Sequence, residues 1–235
     1  MTLLQTLRAE FKRVADPGRA PKMQAYMKSA MPYHGLASTP CGEICKRVFA
    51  DYPFTDAACW RKDVLAIWRG ATHREERYGA IALTGHRKAK PFQNLDALPM
   101  YEEMVVSGGW WDFVDVIAGH RLGALLANHP VEMRRLMRQW SRDENIWKRR
   151  SSIICQLRFK RDTDLRLLYD CIEPSLPSKE FFLRKAIGWA LREYAWHDPH
   201  EVIRYVRARK GDLSNLSKRE ALKNVVKQGL IKSMP

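Results

Sequence analysis

The block WWDFVD at residues 110–115 places a carboxylate beside large aromatic side chains in a strongly basic protein. If the block is helical, Trp111 and Asp115 lie one turn apart on the same face. A carboxylate framed by indole rings suits a cation, either a fixed charge or one that develops in a transition state. The block therefore predicts a site for a positively charged species, with Trp110 and Asp112 in packing or capping roles.

The charge of the chain predicts a polyanionic partner. Lys and Arg number 41 against 26 Asp and Glu, a formal net charge of +15. Nucleic acid and an anionic membrane surface both fit this excess, but no apolar run approaches the roughly 20 residues that a spanning helix requires. We therefore expect nucleic acid as the partner, with no membrane association. The first 15 residues form an amphipathic pattern without a secretory apolar stretch, so we expect a cytoplasmic protein.

The five cysteines predict neither a disulfide framework nor a metal centre. Their number is odd and no CxxC pair is present, which favours reduced, buried thiols. Cys41 and Cys45, at i and i+4, could form half of a metal site, but a second Cys/His pair at ligand spacing is missing nearby. We expect no metal and no cofactor.

The hydrophobic pattern predicts an all-α protein. Apolar residues recur at i, i+3, i+4 and i+7, without the alternating Val/Ile/Thr-rich runs of hairpins. The predicted helices cover residues 2–15, 21–31, 40–51, 56–69, 73–87, 96–106, 110–127, 130–141, 144–160, 163–172, 178–195, 199–209 and 217–226. Short helices joined by short turns favour stacked antiparallel pairs over one long bundle.

A degenerate repeat supports this stacking. IWKRRSSII at residues 146–154 aligns with FFLRKAIGW at residues 181–189, a shift of 35 positions that matches apolar and basic classes. Such a period is typical of helical-hairpin solenoids of the HEAT type, whose curved stack offers a long concave surface. We expect one HEAT-like domain over residues 1–235, an α-solenoid superhelix with a basic concave surface.

Two basic stretches are candidates for a phosphate track. Residues 134–161 hold ten Lys or Arg against two acids, and a second stretch covers residues 204–232. A charge run is often only a solvated helix face, so either stretch alone leaves both interpretations open. Together with the net charge they favour contact with DNA phosphates, which predicts affinity that falls steeply with added salt.

The tryptophans divide into two groups. Large aromatic residues usually fill a core, and we assign Trp60, Trp68, Trp140 and Trp196 to core or partly buried positions. Three others lie within four residues of a charged side chain on the same predicted face: Trp111 near Asp115, Trp147 near Arg150, and Trp189 near Lys185. Packing is still the usual role of such residues, so their spacing alone leaves a functional role open.

Four segments together resemble the AlkD family of alkylpurine DNA glycosylases. They are SGGWWDFVD at 107–115, NIWKRR at 145–150, SKEFFLRKAIGWALREY at 178–194 and LSKREA at 216–221, and residues 26–28 and Gly35 also fit. The resemblance covers nearly the whole chain in order. It implies a HEAT-like superhelix that wraps duplex DNA and removes cationic N3- or N7-alkylated purines without flipping the base into a pocket.

The resemblance also implies roles for individual residues. Asp115 would be the catalytic carboxylate, Trp111 and Trp189 the aromatic walls against the sugar and backbone of the damaged nucleotide, and Arg150 a phosphate contact. We expect further DNA contacts from residues in the matching segments and basic stretches: Tyr26, Lys28, Trp147, Arg149, Lys185, Lys218 and Arg219. The expected activity is that of a monofunctional, monomeric glycosylase without lyase activity, acting on double-stranded DNA.

One segment departs from the family pattern, and two alternatives to this function remain. After Thr39-Pro40, where relatives tend to carry a charged run, this chain has Cys41-Gly42-Glu43, which weakens a DNA contact there. A non-catalytic DNA-binding paralogue of the same fold would explain the charge and the repeat but not the retained Asp115 with both tryptophans. A scaffold for RNA or acidic proteins would leave that constellation an accident.

Overall fold

The computed structural model describes residues 1–231, and every regular element within them is helical. The α-helices are α1 (Leu3–Arg13), α2 (Ala20–Tyr26), α3 (Ser38–Val48), α4 (Ala57–Gly70), α5 (Arg74–Thr84), α6 (Leu98–Gly108), α7 (Trp111–Val116), α8 (Gly123–Asn128), α9 (Pro130–Trp140), α10 (Ile146–Ile154), α11 (Leu165–Ile172), α12 (Phe181–Tyr194), α13 (Pro199–Ala208) and α14 (Asn215–Lys227). The predicted all-α class is confirmed. Lys232, the last residue of the second basic stretch, lies outside the described residues.

The chain divides into two units, Met1–Met100 and a second unit that begins at Tyr101. In the first unit, α1 packs on α3, α4 and α5, while α5 also packs on α3 and α4. Its core is built on fully buried aromatic and aliphatic side chains, among them Leu7, Phe11, Trp60 and Leu83. The expectation of a single domain over the whole chain stays a prediction.

Gly35 adopts a left-handed backbone conformation in the loop before α3. Its φ is +91°, and an added Cβ would lie 2.2 Å from the carbonyl oxygen of Asp16. Glycine is the residue that adopts this left-handed conformation without steric cost. The turn lets the Gly35 amide donate a hydrogen bond to Glu75 Oε1 at 2.9 Å, which fixes the loop before α3.

In the second unit, successive helices pack side by side: α8 on α9, α9 on α10 and α11, α10 on α11 and α12, and α12 on α13 and α14. Local signals define several starts, because Asn145, Asp164, Asp198 and Ser214 each cap the first turn of the helix that follows. This neighbour-on-neighbour packing is the arrangement of an α-solenoid repeat. α10 and α12 begin 35 residues apart, so the sequence repeat corresponds to equivalent helices.

The predicted helix over 110–127 is present but is not uniformly α-helical. α7 and α8 are joined by a π-helical segment, Ile117–Leu122. The wider turn follows directly on Asp115, and π turns are frequent at functional sites. At its end, a Cβ on Gly123 would lie 2.6 Å from the carbonyl oxygen of Cys155, so glycine permits the close approach to the end of α10.

None of the helices in residues 1–231 is both long enough and apolar enough to cross a membrane.

Candidate active site

The orientation of Asp115 follows from the burial of its neighbours in α7. Phe113 and Val114 are fully buried, as are Ile117 and Ala118 at the next turn. These four apolar residues fix one face of the helix against the core, so Asp115 lies on the other face with Trp111, one turn before it. The side chain of Asp115 is 14% exposed.

A bidentate ion pair holds the Asp115 carboxylate. Arg150 Nε donates to Oδ1 at 2.7 Å and Nη2 donates to Oδ2 at 2.8 Å. The Arg150 side chain is only 5% exposed, and its Nη1 donates to the carbonyl oxygen of Phe182 at 2.6 Å. A planar guanidinium that binds both carboxylate oxygens fixes their position as well as their charge.

An aromatic cluster lies behind this ion pair. The rings of Trp110, Trp147 and Phe182 contact one another with centroid separations of 5.1–6.0 Å. Arg150 Cζ is 5.9 Å from the centre of the Phe182 ring. The packing role predicted for Trp110 is therefore present, and Trp147, 8% exposed, is part of the same cluster.

Burial raises the pKa of Asp115 above the ordinary range of an aspartate, and the charge of Asp112 adds to the rise. The hydrogen bond and the charge of Arg150 offset part of this increase. A carboxylate with a raised pKa is a stronger base than a solvated one and is a frequent feature of active sites.

Asp115 opens onto a cleft of about 460 Å³ in the second unit. Trp189 and Glu193 of α12 line it, one helical turn apart, as does Trp196 beyond the end of that helix. The other lining residues come from the π segment, from the connection between α10 and α11, and from the turn after α12: Gly119, His120, Leu157, Arg158, Lys160 and His197.

Gly188 positions the α12 wall of the cleft. An added Cβ at this position would lie 2.5 Å from Glu220 Cβ and 2.9 Å from the carbonyl oxygen of Ser217, both in α14. The absence of a side chain lets α12 and α14 approach closely, and Ser217 Oγ donates to the carbonyl oxygen of Arg184 at 2.9 Å. This contact fixes the face of α12 that presents Trp189.

The structure brings Asp115, Arg150 and Trp189 together and places Trp111, half-buried, at the first turn of α7. The assignment of Trp196 to a core or partly buried position is wrong, because its side chain is 58% exposed in the cleft. Trp60, Trp68 and Trp140 are buried as predicted.

Several predicted DNA-binding residues of the second unit already form hydrogen bonds or an ion pair within the protein. Arg149 Nη2 donates to the carbonyl oxygen of Pro174 at 3.1 Å. Lys185 Nζ lies 2.9 Å from Glu220 Oε1, and Lys218 Nζ donates to the carbonyl oxygen of Lys210 at 3.2 Å. Arg219 is exposed on α14. For these residues, as for Trp147, DNA contact stays a prediction.

Tyr26 and Lys28 lie in the first unit, at the end of α2 and just after it. Tyr26 is 79% exposed, an unusual position for so large an aromatic side chain. Lys28 is also exposed, and its φ of +49° is rare for a residue other than glycine. Both side chains are accessible to a partner.

Part of the first basic stretch is neutralised within the protein. Arg134 pairs with Asp164, Arg138 with Asp170, and Lys148 with Glu102 and Asp143. The whole stretch therefore does not form one phosphate track, and the candidates for phosphate contacts are its remaining cations. These include Arg158 and Lys160 in the cleft.

One side-chain cluster in the first unit has the composition of a metal site. Ligand atoms of His34, His73 and Glu76 lie within 4.8 Å of one another. However, Arg8 donates to both carboxylate oxygens of Glu76, at 2.8 and 2.9 Å. The guanidinium occupies the carboxylate and its charge opposes a cation, so the cluster fits a structural ion pair better than a metal centre.

The sequence prediction gave Glu193, Trp196 and His120 no role in the site, and it included Arg158 and Lys160 only as members of the first basic stretch. A usable signal existed for Glu193, which follows Trp189 at i+4 on the same helical face, whereas Trp196 lies beyond the end of α12 at Tyr194. The other three lie on the π segment and on an irregular connection, where periodicity carries no information.

Comparisons with known proteins agree on one family. The family described as DNA alkylation repair enzyme matches residues 7–225. A solved structure described as a predicted DNA alkylation repair enzyme from Enterococcus faecalis is 29% identical in sequence, with a TM-score of 0.82, covering 91% of this chain and 97% of that one. No curated protein matches the sequence. The chain belongs to the family of DNA alkylation repair enzymes.

Proposed function

We propose that this protein is a DNA glycosylase that hydrolyses the N-glycosidic bond of cationic N3- or N7-alkylated purines in duplex DNA. The observation that carries the proposal is the Asp115 carboxylate, fixed by Arg150 at a cleft that Trp189 also lines. Membership of a DNA alkylation repair family supplies the class of lesion, and the site supplies a fixed negative charge where positive charge develops.

The chemistry of the lesion explains why a carboxylate suffices. Alkylation at N3 or N7 gives the purine a positive charge, so the electron pair of the breaking glycosidic bond neutralises the departing base. The positive charge then moves to the deoxyribose as an oxocarbenium-like species. Asp115 stabilises that charge, positions a water molecule for attack on C1′ and accepts the proton that the water loses.

The neighbouring residues support Asp115 in distinct ways. Arg150 positions both carboxylate oxygens, and we retain a phosphate contact as a second role for it. The indole faces of Trp111 and Trp189 add cation–π attraction of about 0.5–2 kcal/mol each, depending on desolvation. No step calls for a metal or cofactor, because the substrate itself carries the activating charge.

The substrate range is a consequence of this mechanism. A neutral lesion such as hypoxanthine needs a proton donor for its leaving group, and the mechanism gives no residue that role. We propose that the protein acts on 3-methyladenine and 7-methylguanine, as a cytoplasmic monomer that leaves an abasic site uncleaved.

The test is a base-release assay on methylated duplex DNA, with the released bases identified by mass spectrometry and a hypoxanthine duplex as the contrast. We expect 3-methyladenine and 7-methylguanine in the supernatant, little hypoxanthine, and unchanged release in EDTA. Binding of the methylated duplex without release of any base would instead favour the non-catalytic paralogue. Hypoxanthine release at a comparable rate would contradict the mechanism.

A further inference from the structure

Trp196 is an exposed indole beside the candidate active site. Its side chain is 58% exposed, although tryptophan is among the most strongly buried residues on average. It lies just after α12, seven residues beyond Trp189, and lines the same cleft as Asp115. An exposed tryptophan in a cleft is typical of a binding surface, because its large rigid face gives contact area at low entropic cost.

The cleft has one acidic, aromatic wall and a basic one. The first wall holds Trp189, Glu193 and Trp196, and the second comes from the connection between α10 and α11, with Arg158 and Lys160. Within residues 1–231, neither of these two cations forms an ion pair with a carboxylate. Their charges are therefore available to a ligand.

His120, between the two walls, does not add to this charge near pH 7. Burial lowers its pKa, and the charges of Arg158 and Arg121 lower it further. A neutral imidazole still donates or accepts a hydrogen bond.

The cleft continues past His120 and Arg158 into a second opening of about 520 Å³. Its lining includes the small residues Gly119, Gly123, Ala124 and Ala127, together with Phe159 and Asp162. The aromatic faces of Trp189 and Trp196 and the cations Arg158 and Lys160 match a deoxyribose–phosphate chain, which has an apolar sugar face and an anionic phosphate, with Glu193 beside the aromatic faces.

We propose that Trp196 is a DNA-binding residue that packs on the sugar of a nucleotide adjoining the lesion, while Arg158 and Lys160 bind the phosphate of the same nucleotide. The proposal rests on the proposed function in taking Asp115 as the position of the lesion. Trp196 then extends the wall that Trp189 begins, and it contributes to affinity without touching the reacting atoms.

The backbone conformation of Lys160 permits a substitution by glycine that removes the side chain without backbone strain. Its φ of +55° is a left-handed conformation that glycine adopts without strain. Lys160→Gly therefore removes the cation while it suits the backbone, so its fold is retained. Trp196→Ala removes an exposed side chain, and Trp196→Phe keeps an aromatic face. Val131→Ala, at an exposed apolar residue outside the cleft, is the matched control.

The experiment measures the dissociation constant for a duplex with a tetrahydrofuran abasic analogue, and the single-turnover rate of 7-methylguanine release at saturating protein. We expect Trp196→Ala to weaken binding about tenfold, as for loss of an aromatic contact of about 1.4 kcal/mol. The dissociation constants of Trp196→Phe and Val131→Ala stay within about threefold of the wild-type value. The single-turnover rate of Trp196→Ala at saturating protein also stays within about threefold of the wild-type rate. Lys160→Gly lowers the slope of log affinity against log salt by about one unit.

Unchanged binding by Trp196→Ala would overturn the proposal. So would a loss of saturated rate equal to its loss of affinity, since Trp196 would then act on the reaction itself. Failure of the proposed function gives a different result, because the wild type would bind the duplex and release no base. The dissociation constants of the wild type and Trp196→Ala would still show whether Trp196 binds DNA.

Discussion

Each unit contains an ion pair in which one arginine binds both oxygens of a carboxylate, but the surroundings of the two pairs differ. In the first unit, Arg8 binds both oxygens of Glu76, at 2.8 and 2.9 Å. In the second, Arg150 binds both oxygens of Asp115, at 2.7 and 2.8 Å. Glu76 is 0% exposed and also accepts a hydrogen bond from the Thr72 amide at 2.7 Å, whereas Asp115 borders an open cleft.

The settings shift the two pKa values in opposite directions. Burial alone would raise the pKa of Glu76, but hydrogen bonds from Arg8, His34 and the Thr72 amide outweigh it and hold that pKa well below the ordinary range. The pKa of Asp115 is raised by burial, which Arg150 only partly offsets. The bidentate arginine is therefore common to a structural and a candidate catalytic carboxylate. The difference lies in the additional donors and in access to solvent.

The largest expected effect comes from Asp115→Asn, which keeps the shape of the side chain and removes its charge. We expect base release to fall about 100- to 1000-fold, the range for loss of one electrostatic stabiliser of a transition state. Binding to the abasic-analogue duplex should change less than about threefold, since Asp115 is not a phosphate contact. Single-turnover release and fluorescence anisotropy measure the two quantities. Equal losses in both would assign Asp115 a structural role.

Glu76→Gln is the corresponding change in the first unit, and its effect should fall on stability. Loss of one partner of a buried pair leaves the other charge uncompensated, and because Arg8 is partly exposed we expect a decrease of about 3 kcal/mol in the free energy of unfolding. Asp115→Asn also leaves a buried arginine, since Arg150 is only 5% exposed, but the raised pKa of Asp115 means that folding already favours its neutral form. We therefore expect a smaller decrease for Asp115→Asn when both variants are unfolded in urea. A larger loss in Asp115→Asn than in Glu76→Gln would reverse the comparison.

The sequence predicted neither ion pair, since it assigned Arg150 to a DNA phosphate, but it did single out residues of the second one. The WWDFVD block, the 35-residue repeat and the family resemblance together pointed to Asp115, Trp189 and Arg150, because these residues stand on regular helices whose spacing can be read. Glu76 and Arg8, 68 residues apart, carry no such pattern, so their pairing depends on tertiary packing. The same limit left Arg158 and Lys160 undistinguished within the first basic stretch, because α10 ends at Ile154 and the helix predicted over 144–160 therefore stops before both of them.

The assignment of Trp196 to the core fails for a related reason. Residue type alone predicts a buried tryptophan, but Trp196 lies in the turn after α12 and is 58% exposed. The predicted helix over 178–195 already placed Trp196 beyond its end, but whether a tryptophan after a helix packs on the core or stays exposed depends on tertiary packing, so this step required the structure.

Gly188→Ala tests whether close packing of α12 and α14 supports the candidate site. The added Cβ would lie 2.5 Å from Glu220 Cβ, and overpacking of this kind costs about 1–3 kcal/mol. We expect lower stability and slower base release, because the displaced helix carries Trp189. Gly42→Ala is the matched control in α3, where an added Cβ meets nothing within 4 Å and should stabilise the protein by up to about 1 kcal/mol. Normal release by Gly188→Ala would show that this packing does not position the wall.

The smallest expected effect is a shift in the pH at which the rate of base release declines in acid, the acid limb of the pH profile. This shift distinguishes Asp115 from Glu76. Asp115 must be ionised to stabilise the sugar cation, and because its pKa is raised, single-turnover release should decline as pH falls at values above the ordinary aspartate range of about 3.9. Protein-free depurination of the same duplex is subtracted at each pH.

Arg150→Gln should move that acid limb to still higher pH, since the hydrogen bond and charge of Arg150 lower the pKa of Asp115. Glu76 behaves in the opposite sense, because its pKa is lowered: its contribution to stability is present above the ordinary glutamate range and is lost as pH falls toward its folded-state pKa. Mild acid should therefore slow base release before it weakens the Arg8–Glu76 ion pair. An acid limb at or below the ordinary aspartate range, or one that Arg150→Gln leaves in place, would show that the ionisation of Asp115 does not control the reaction.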